Sequence, residues 1–122
     1  MTNTSPKNTH WPWEDSLDAI SAAPNSHIVL LENEKVRVLE IVIEPGQKEP
    51  YHTHEWPSLL IVDNPTRIRY YDSDKKLAFE SPEQIETSAS ARTEWLGPEG
   101  LHAVENVDHK RYHAFRVEFK DN

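Results

Sequence analysis

The sequence predicts an all-β protein, either a small barrel or a sandwich, with very little helix. Short runs rich in β-branched and aromatic residues alternate with turn signals along most of the chain. The most regular run, Val36 to Ile43, is apolar at most positions of both parities, as in a strand covered on both sides. A length of 122 residues with 36% hydrophobic content suits one domain with a single compact core.

Composition and charge exclude several classes of protein. With 21 acidic and 13 basic residues the formal net charge is −8, which argues against nucleic acid or an anionic membrane surface as a partner. The absence of cysteine excludes disulfides, zinc–thiolate sites and cysteine nucleophiles. Residues 1–15 lack the apolar core of a signal peptide, and no stretch is long enough to cross a membrane. We therefore expect a soluble, cytoplasmic protein.

The N-terminus is predicted to be an arm followed by a short helix. Residues 1–14 are polar apart from the pair Trp11-Pro12-Trp13, which indicates a flexible arm that folds back onto its own barrel. The alternative is that these tryptophans dock on a neighbouring subunit. Asp15 or Ser16 is then expected to cap a short helix that ends before Pro24.

The remainder is predicted to be mostly strands. They are His27 to Leu31, Val36 to Ile43, Ser58 to Val62, Ile68 to Tyr71, Thr93 to Leu96 and Tyr112 to Phe119. The third and fourth of these are expected to pair as a hairpin across Asp63-Asn64-Pro65. Residues 81–92 are expected to form a loop or a single turn, although Ser81-Pro82-Glu83-Gln84 matches a helix capping box.

Two glycine-bearing stretches also carry histidine. In the first, Gly46 lies in a turn after the strongest strand, and His52 and His54 follow it. Two residues apart on a strand, these histidines point to the same face with Cα atoms about 6.5 Å apart. That spacing allows two imidazoles to chelate one metal ion. The alternative for such a pair is a solvated loop. In the second stretch, Gly97-Pro98-Glu99-Gly100-Leu101-His102 has Asn106 beyond it.

Together the two stretches resemble the two motifs of the cupin superfamily. The residues that match are Gly46, His52 and His54 in the first motif and Pro98, Gly100, His102 and Asn106 in the second, with one residue fewer between Gly100 and His102. The resemblance runs from about His27 to Phe119. It implies a cupin double-stranded β-helix, a jelly-roll-like barrel, over residues 15–122, preceded by the short helix and by the arm of residues 1–14.

One expected metal ligand is missing. The glutamate of the first cupin motif should fall at position 58 or 59, where this chain has Ser58 and Leu59. The resemblance therefore leaves a three-histidine set, His52, His54 and His102, for one divalent transition metal (iron, manganese, nickel or zinc) per chain. Neutral imidazoles leave the ion its full charge and open positions, which suits a small organic anion.

Two functions follow from this resemblance. The first is a mononuclear metalloenzyme, either dioxygenase-like or a lyase or isomerase, that acts on a small organic anion. The alternative is a catalytically silent cupin that binds a small ligand, with weak or no metal. The resemblance also implies a homodimer joined through sheet edges or through the N-terminal arm.

Other side chains are candidates for the pocket or for the core. The expected pocket residues are Tyr51, Trp56, Ser58, Tyr70 and His113. Trp95 is expected to fill the core. Arg67 and Arg69 are expected to face solvent, although an inward-pointing arginine would be a natural anchor for a carboxylate. His10, His27 and His109 are assigned no role.

Overall fold

The computed structural model describes residues 11–81 and 92–120, and the chain over these residues is all-β, as the sequence predicts. A 3₁₀ turn (Asp15–Leu17) and a one-turn helix, α1 (Ala19–Ala22), precede the strands. The strands are β1 (His27–Glu32), β2 (Val36–Ile43), β3 (His52–His54), β4 (Ser58–Asn64), β5 (Ile68–Tyr71), β6 (Leu77–Glu80), β7 (Arg92–Leu96), β8 (Glu99–Asn106) and β9 (Tyr112–Phe119). His10 and most of the predicted capping box lie outside the described residues.

The strands form two antiparallel sheets. One has five strands in the order β1-β2-β9-β4-β7, and the other has four in the order β3-β8-β5-β6. The predicted hairpin between the third and fourth runs is wrong, because β4 pairs with β7 and β9 while β5 pairs with β6 and β8. The chain crosses from one sheet to the other between β4 and β5, so these two consecutive strands lie in different sheets.

The helix begins later than predicted. Its cap is Asp18, whose side chain accepts a hydrogen bond from the Ile20 backbone N–H at 3.3 Å, and not Asp15 or Ser16. The Asp18 carboxylate is held in place by Arg37, whose Nη1 and Nη2 donate to it at 2.9 and 3.1 Å. A tertiary ion pair thus selects the capping residue among several that are competent to cap.

Part of the N-terminal arm packs on the barrel. A Cβ atom added to Gly100 would lie 3.0 Å from Nε1 of Trp13, so the indole sits directly on this glycine. Any larger residue at position 100 would push the tryptophan away. The boundary at residues 14 and 15 stays a prediction.

The long strands β2 and β9 pair along their whole length, from Val36 opposite Phe119 to Ile43 opposite Tyr112. Their inward positions carry the apolar core residues Ile41, Ile43 and Ala114, which pack with Val62 of β4. The same inward faces also carry charged side chains, Arg37 on β2 and Arg116 and Glu118 on β9, all of which are buried. Within the described residues, no helix has the length and apolar character needed to cross a membrane.

Candidate metal centre and cavity

Four imidazole rings meet between the two sheets. They belong to His27, His52, His54 and His102, and each of these residues is at most 3% exposed. The ring centroids of His52 and His102 are 4.5 Å apart, and those of His27 and His52 are 4.6 Å apart. His54 lies 5.1 to 5.6 Å from the other three rings. Such a cluster brings several imidazole nitrogens, all of which can bind a metal ion, together in a buried position.

Strand register explains why these rings meet. His52 lies directly opposite His102 in the pairing of β3 with β8. His54 is two residues from His52 and therefore points to the same face. His27 begins β1 opposite Ile41, an inward position of β2, so its ring enters from the other sheet. The four rings thus come from three strands, which are β3 and β8 of the four-stranded sheet and β1 of the five-stranded sheet.

Each ring has its Nδ1 atom against an acceptor oxygen. The Nδ1 contacts are His27 with the Ala23 carbonyl at 3.2 Å, His52 with the Pro50 carbonyl at 2.8 Å, His54 with the Glu118 carboxylate at 2.8 Å and His102 with the Gly100 carbonyl at 2.7 Å. A carbonyl oxygen only accepts, so the Nδ1 atoms of His27, His52 and His102 must carry the proton, and an ionised Glu118 places the proton of His54 on Nδ1 in the same way. The Nε2 atom then keeps its lone pair, which is the arrangement that metal-binding histidines use.

Burial keeps all four rings neutral. Desolvation lowers the pKa of His52 and His102 below the ordinary histidine value, and it lowers the pKa of His27 and His54 well below that value. A positive charge on a neighbouring ring would lower the pKa of His27, His52 and His54 further. At neutral pH the cluster therefore presents unprotonated imidazoles, which is the form that binds a metal ion.

Two carboxyl groups flank the cluster, Glu49, which is buried, and Glu99, which is partly exposed. Glu49 Oε1 lies 3.7 Å from His52 Nε2, and Glu99 Oε2 lies 3.9 Å from His102 Nε2. Burial raises the pKa of Glu49. Burial also acts to raise the pKa of Glu99, but His102 and Arg116 outweigh it and lower that pKa. Glu99 is thus a carboxylate at neutral pH, held beside the rings.

The structure groups the predicted ligands differently from the sequence. Ligand atoms lie within 4.8 Å of one another in two triads that share His54, one with His27 and His52 and the other with Glu99 and His102. The three predicted histidines belong to one cluster, but neither triad contains all of them. The residues that the sequence analysis missed are His27 and Glu99. Glu99 lies within the second motif, and this position is the feature of the sequence that could have identified it as a candidate ligand.

The donor set fits a divalent transition metal. Imidazole nitrogen with a nearby carboxylate suits iron, nickel, manganese or zinc, and fixed Nδ1 atoms are the usual outer support of such ligands. The support of His54 extends further, because Glu118 also accepts from Nε of Arg37, which in turn pairs with Asp18. Burial raises the pKa of Glu118, and Arg37 opposes that shift.

A cavity of about 530 Å³ opens beside the cluster. Its wall combines the site with apolar side chains from both sheets, among them Ile41, Ile43, Leu60, Val62, Ile68, Phe79 and Val104. Tyr70 lies on the wall, where its ring stacks on His102 with centroids 5.2 Å apart and its hydroxyl donates to Glu99 at 2.8 Å. Tyr70 thereby fixes a ring and a carboxylate of the cluster together.

The other predicted pocket residues lie off the cavity wall. The Tyr51 ring faces Lys48, with Nζ 5.0 Å from its centroid, and the Trp56 ring faces the Arg37 guanidinium at 5.2 Å. Both aromatic rings therefore make cation–π contacts outside the cavity. Ser58 is fully buried, and its Oγ has no hydrogen-bond partner within residues 11–81 and 92–120.

His113 is outside the cavity because β9 turns its apolar face outward. The His113 ring bridges two carboxylates on the surface side of the sheet, Glu40 at 2.7 Å and Asp63 at 2.5 Å. Trp95 lies on the same side and is 62% exposed, so the expectation that it fills the core is wrong. The rule that places the apolar face inward fails on this strand.

The structure was compared with known proteins. No family model matches the sequence, and no curated protein matches it either. It is similar to a cupin domain from Bordetella pertussis Tohama I, with 17% identity over 78% of this chain and 92% of that one, at a TM-score of 0.63. It is also similar to an RmlC-like cupin family protein from Methanocaldococcus jannaschii, with 15% identity over 77% and 78% and a TM-score of 0.56.

A further similar structure is the polyketide cyclase RemF from Streptomyces resistomycificus, with 14% identity over 78% of this chain and 64% of that one, at a TM-score of 0.52. At these identities the likeness shows the fold. The chain is a small domain with the cupin fold, a double-stranded β-helix, as the two sequence motifs predicted.

Proposed function

We propose that this protein is a small cupin-type metalloenzyme that holds one divalent transition metal ion in the histidine cluster and acts on a small organic anion in the adjoining cavity. One observation carries the proposal. Four buried, neutral imidazoles each have Nδ1 fixed by an oxygen, so that every Nε2 is left to bind a ligand. Four such rings in a purely structural core would leave four unused lone pairs together.

The ligands would be His54 with either His27 and His52 or His102 and Glu99, since ligand atoms lie within 4.8 Å of one another in each of these two triads. When bound, the ion supplies Lewis acidity at a substrate oxygen, or it activates water or dioxygen. The chain's own groups orient and protect the reacting anion. The apolar wall excludes water, and Tyr70 fixes the Glu99 carboxylate.

Glu49 is the candidate for holding and moving a proton. It is 4% exposed, its carboxylate accepts from the Ser26 hydroxyl at 3.0 Å and the Val104 N–H at 3.1 Å, and it lies beside His52. Burial raises its pKa above the ordinary glutamate value, which favours the protonated form of a group that could give or take a proton at the site. Such a group supports the lyase or isomerase class, and the similarity to a polyketide cyclase supports the same class. A dioxygenase-like reaction remains the other candidate.

Metal analysis by mass spectrometry on protein without a histidine tag tests the proposal. We expect about one equivalent of a transition metal in the wild-type protein and its loss in His54→Ala. His113→Ala is the matched control, because this histidine lies outside the cavity, and it should retain the metal. His27→Ala should lower the metal content, since this ring belongs to a triad with His52 and His54. Folded wild-type protein that binds no iron, manganese, nickel or zinc, even when each is supplied, would contradict the proposal.

A second candidate is a catalytically silent cupin that binds a small ligand without metal. The observation that favours it is Ser58, which occupies one of the two positions expected for the motif glutamate and is buried away from the cavity wall. This candidate predicts a metal-poor protein in which His54→Ala changes neither fold nor ligand binding. The same analysis therefore separates the two.

A further inference from the structure

Arg116 is a buried arginine with unused hydrogen-bond donors. It is 3% exposed, it points inward from β9, and its side chain is part of the cavity wall. Its Nη1 donates to Glu99 Oε1 at 2.7 Å. Its Nε and Nη2 atoms are buried and have no hydrogen-bond partner among the described residues. Because a buried charged donor without a partner is costly, a guanidinium in this state calls for an acceptor.

The two unused donors have the geometry for a carboxylate. In the planar guanidinium group, the N–H bonds of Nε and Nη2 lie on one edge and run nearly parallel, so together they match the two oxygens of a carboxylate. The carboxylate that Arg116 already contacts, Glu99, binds at Nη1 and leaves this edge free. Glu118, two residues along the same face of β9, is already taken by Arg37 and His54.

The surroundings define the kind of anion. The donors are covered from bulk water, so an acceptor reaches them from the cavity that Arg116 borders. The cavity volume of about 530 Å³ lies within the usual range for small-molecule sites, roughly 300 to 1,000 Å³. Its other walls include Ile41, Ile43 and Val104, which favour an apolar body. Glu99 links the guanidinium to His102, at 2.7 and 3.9 Å, so a carboxylate on Arg116 lies beside the histidine cluster.

We propose that the ligands of this protein are small carboxylates with an apolar body, and that Arg116 binds the carboxylate through its Nε and Nη2 atoms. The inference rests on the proposed function, because it concerns the substrate of the same cavity. The sequence analysis expected Arg67 and Arg69 to face solvent, and Arg69 does pair with Glu80 at 3.0 Å in an exposed contact. Arg116 is a binding residue here, and the histidines are not needed for this contact.

Titration calorimetry with benzoate and with benzamide, its neutral counterpart, tests the proposal. The protein is used both as purified and after dialysis against EDTA, and the metal content of each sample is measured. We expect wild type to bind benzoate and to bind benzamide much more weakly. Arg116→Lys keeps the charge but loses the two-pronged edge, and Arg116→Gln loses both. Each variant should bind benzoate about tenfold to a hundredfold more weakly. Arg69→Gln, the surface control, should bind as wild type does.

A second measurement does not depend on how the variants fold. In ¹⁵N NMR spectra of the wild-type protein, the Arg116 Nε–H signal should shift on addition of benzoate and not of benzamide. The proposal is overturned if benzoate does not bind, if benzamide binds equally well, or if folded Arg116 variants bind benzoate as wild type does. Benzoate binding that depends on Arg116 in a protein that takes up no metal would support this inference and contradict the proposed metalloenzyme. Metal uptake with no benzoate binding would do the reverse.

Discussion

The two faces of β9 differ in the opposite sense from what the hydrophobic pattern predicts. The inner face carries Arg116 and Glu118, both at most 3% exposed, beside the small Ala114. The outer face carries Phe115 and Phe119, of which Phe119 is 37% exposed. On this strand the charged side chains lie inside the barrel, and the large apolar side chains lie outside. Buried charged residues therefore indicate the candidate site on β9, and exposed apolar residues indicate a surface that another chain could cover.

The same contrast separates buried from exposed ion pairs. Inside, Arg37 connects Glu118 with Asp18, and Glu118 in turn holds the His54 ring. Outside, Arg111 pairs with a surface carboxylate at 3.0 Å, and more than half of each side chain is exposed. Water and salt screen the outer pair, whereas a partner removed from the inner network leaves an uncompensated buried charge. The two kinds of pair should differ greatly in what they contribute to stability.

The largest expected effect comes from breaking the inner network. Arg37→Ala leaves Glu118 buried without its main counter-charge, and we expect a loss of about 3 to 5 kcal/mol in the free energy of unfolding. Arg111→Ala, the matched change on the outside, should lose no more than about 1 kcal/mol. Urea unfolding followed by circular dichroism measures both. Equal losses in the two variants would mean that the inner charges are not desolvated as the structure places them.

The sequence predicts some of the strands and misses others. The bounds of β2, β5 and β9 are those that the sequence predicts, because each is a run of strand-forming residues. By contrast, β8 begins at Glu99 within a proline- and glycine-bearing stretch for which the sequence predicts no strand, and β6 has too little alternation to stand out. Both are strands because the opposite strand offers them hydrogen bonds, and that information lies elsewhere in the chain.

The candidate site divides in a similar way. Local spacing brings His52 and His54 to one face, and the second motif adds His102. His27 lies 25 residues before His52 and reaches the cluster only because β1 pairs with β2 across an inward position. Arg116 was missed because its alternation with phenylalanine and valine indicated a solvent-facing side chain. No local pattern shows which side of a strand will face the other sheet.

The second largest expected effect concerns the exposed edge strand β1 of the five-stranded sheet. Among the described strands, β1 is an edge strand paired only with β2, and its residues Ile28 and Leu30 are 47% and 51% exposed. An exposed apolar edge invites pairing with another chain, so we expect a second copy of this protein to cover it, in line with the homodimer that the cupin resemblance implies. Leu30→Lys should convert a dimer into a monomer in sedimentation experiments, since lysine on an edge opposes pairing.

The control for this change is Leu77→Lys, which places the same charge at an equally exposed leucine on β6 of the other sheet. It should leave the mass unchanged. Neither substitution should alter the unfolding free energy of the monomer by more than about 0.5 kcal/mol. A wild-type protein that sediments as a monomer would contradict the homodimer, and the edge would then be left uncovered in solution.

The smallest expected effect is the pH dependence that the outer histidine contributes. Hydrogen bonds to Glu40 and Asp63 raise the pKa of His113 above the ordinary histidine value. Its stabilisation is therefore fully present below about pH 6.5 and is lost as the pH rises through the raised pKa. Because the pair lies near the surface, we expect a loss of roughly 0.2 to 1 kcal/mol between about pH 6 and pH 9. His113→Gln should lack this part of the profile. If the variant and the wild type lose stability in parallel, the charges outside the sheet contribute nothing, and the contrast with the inner network is sharper still.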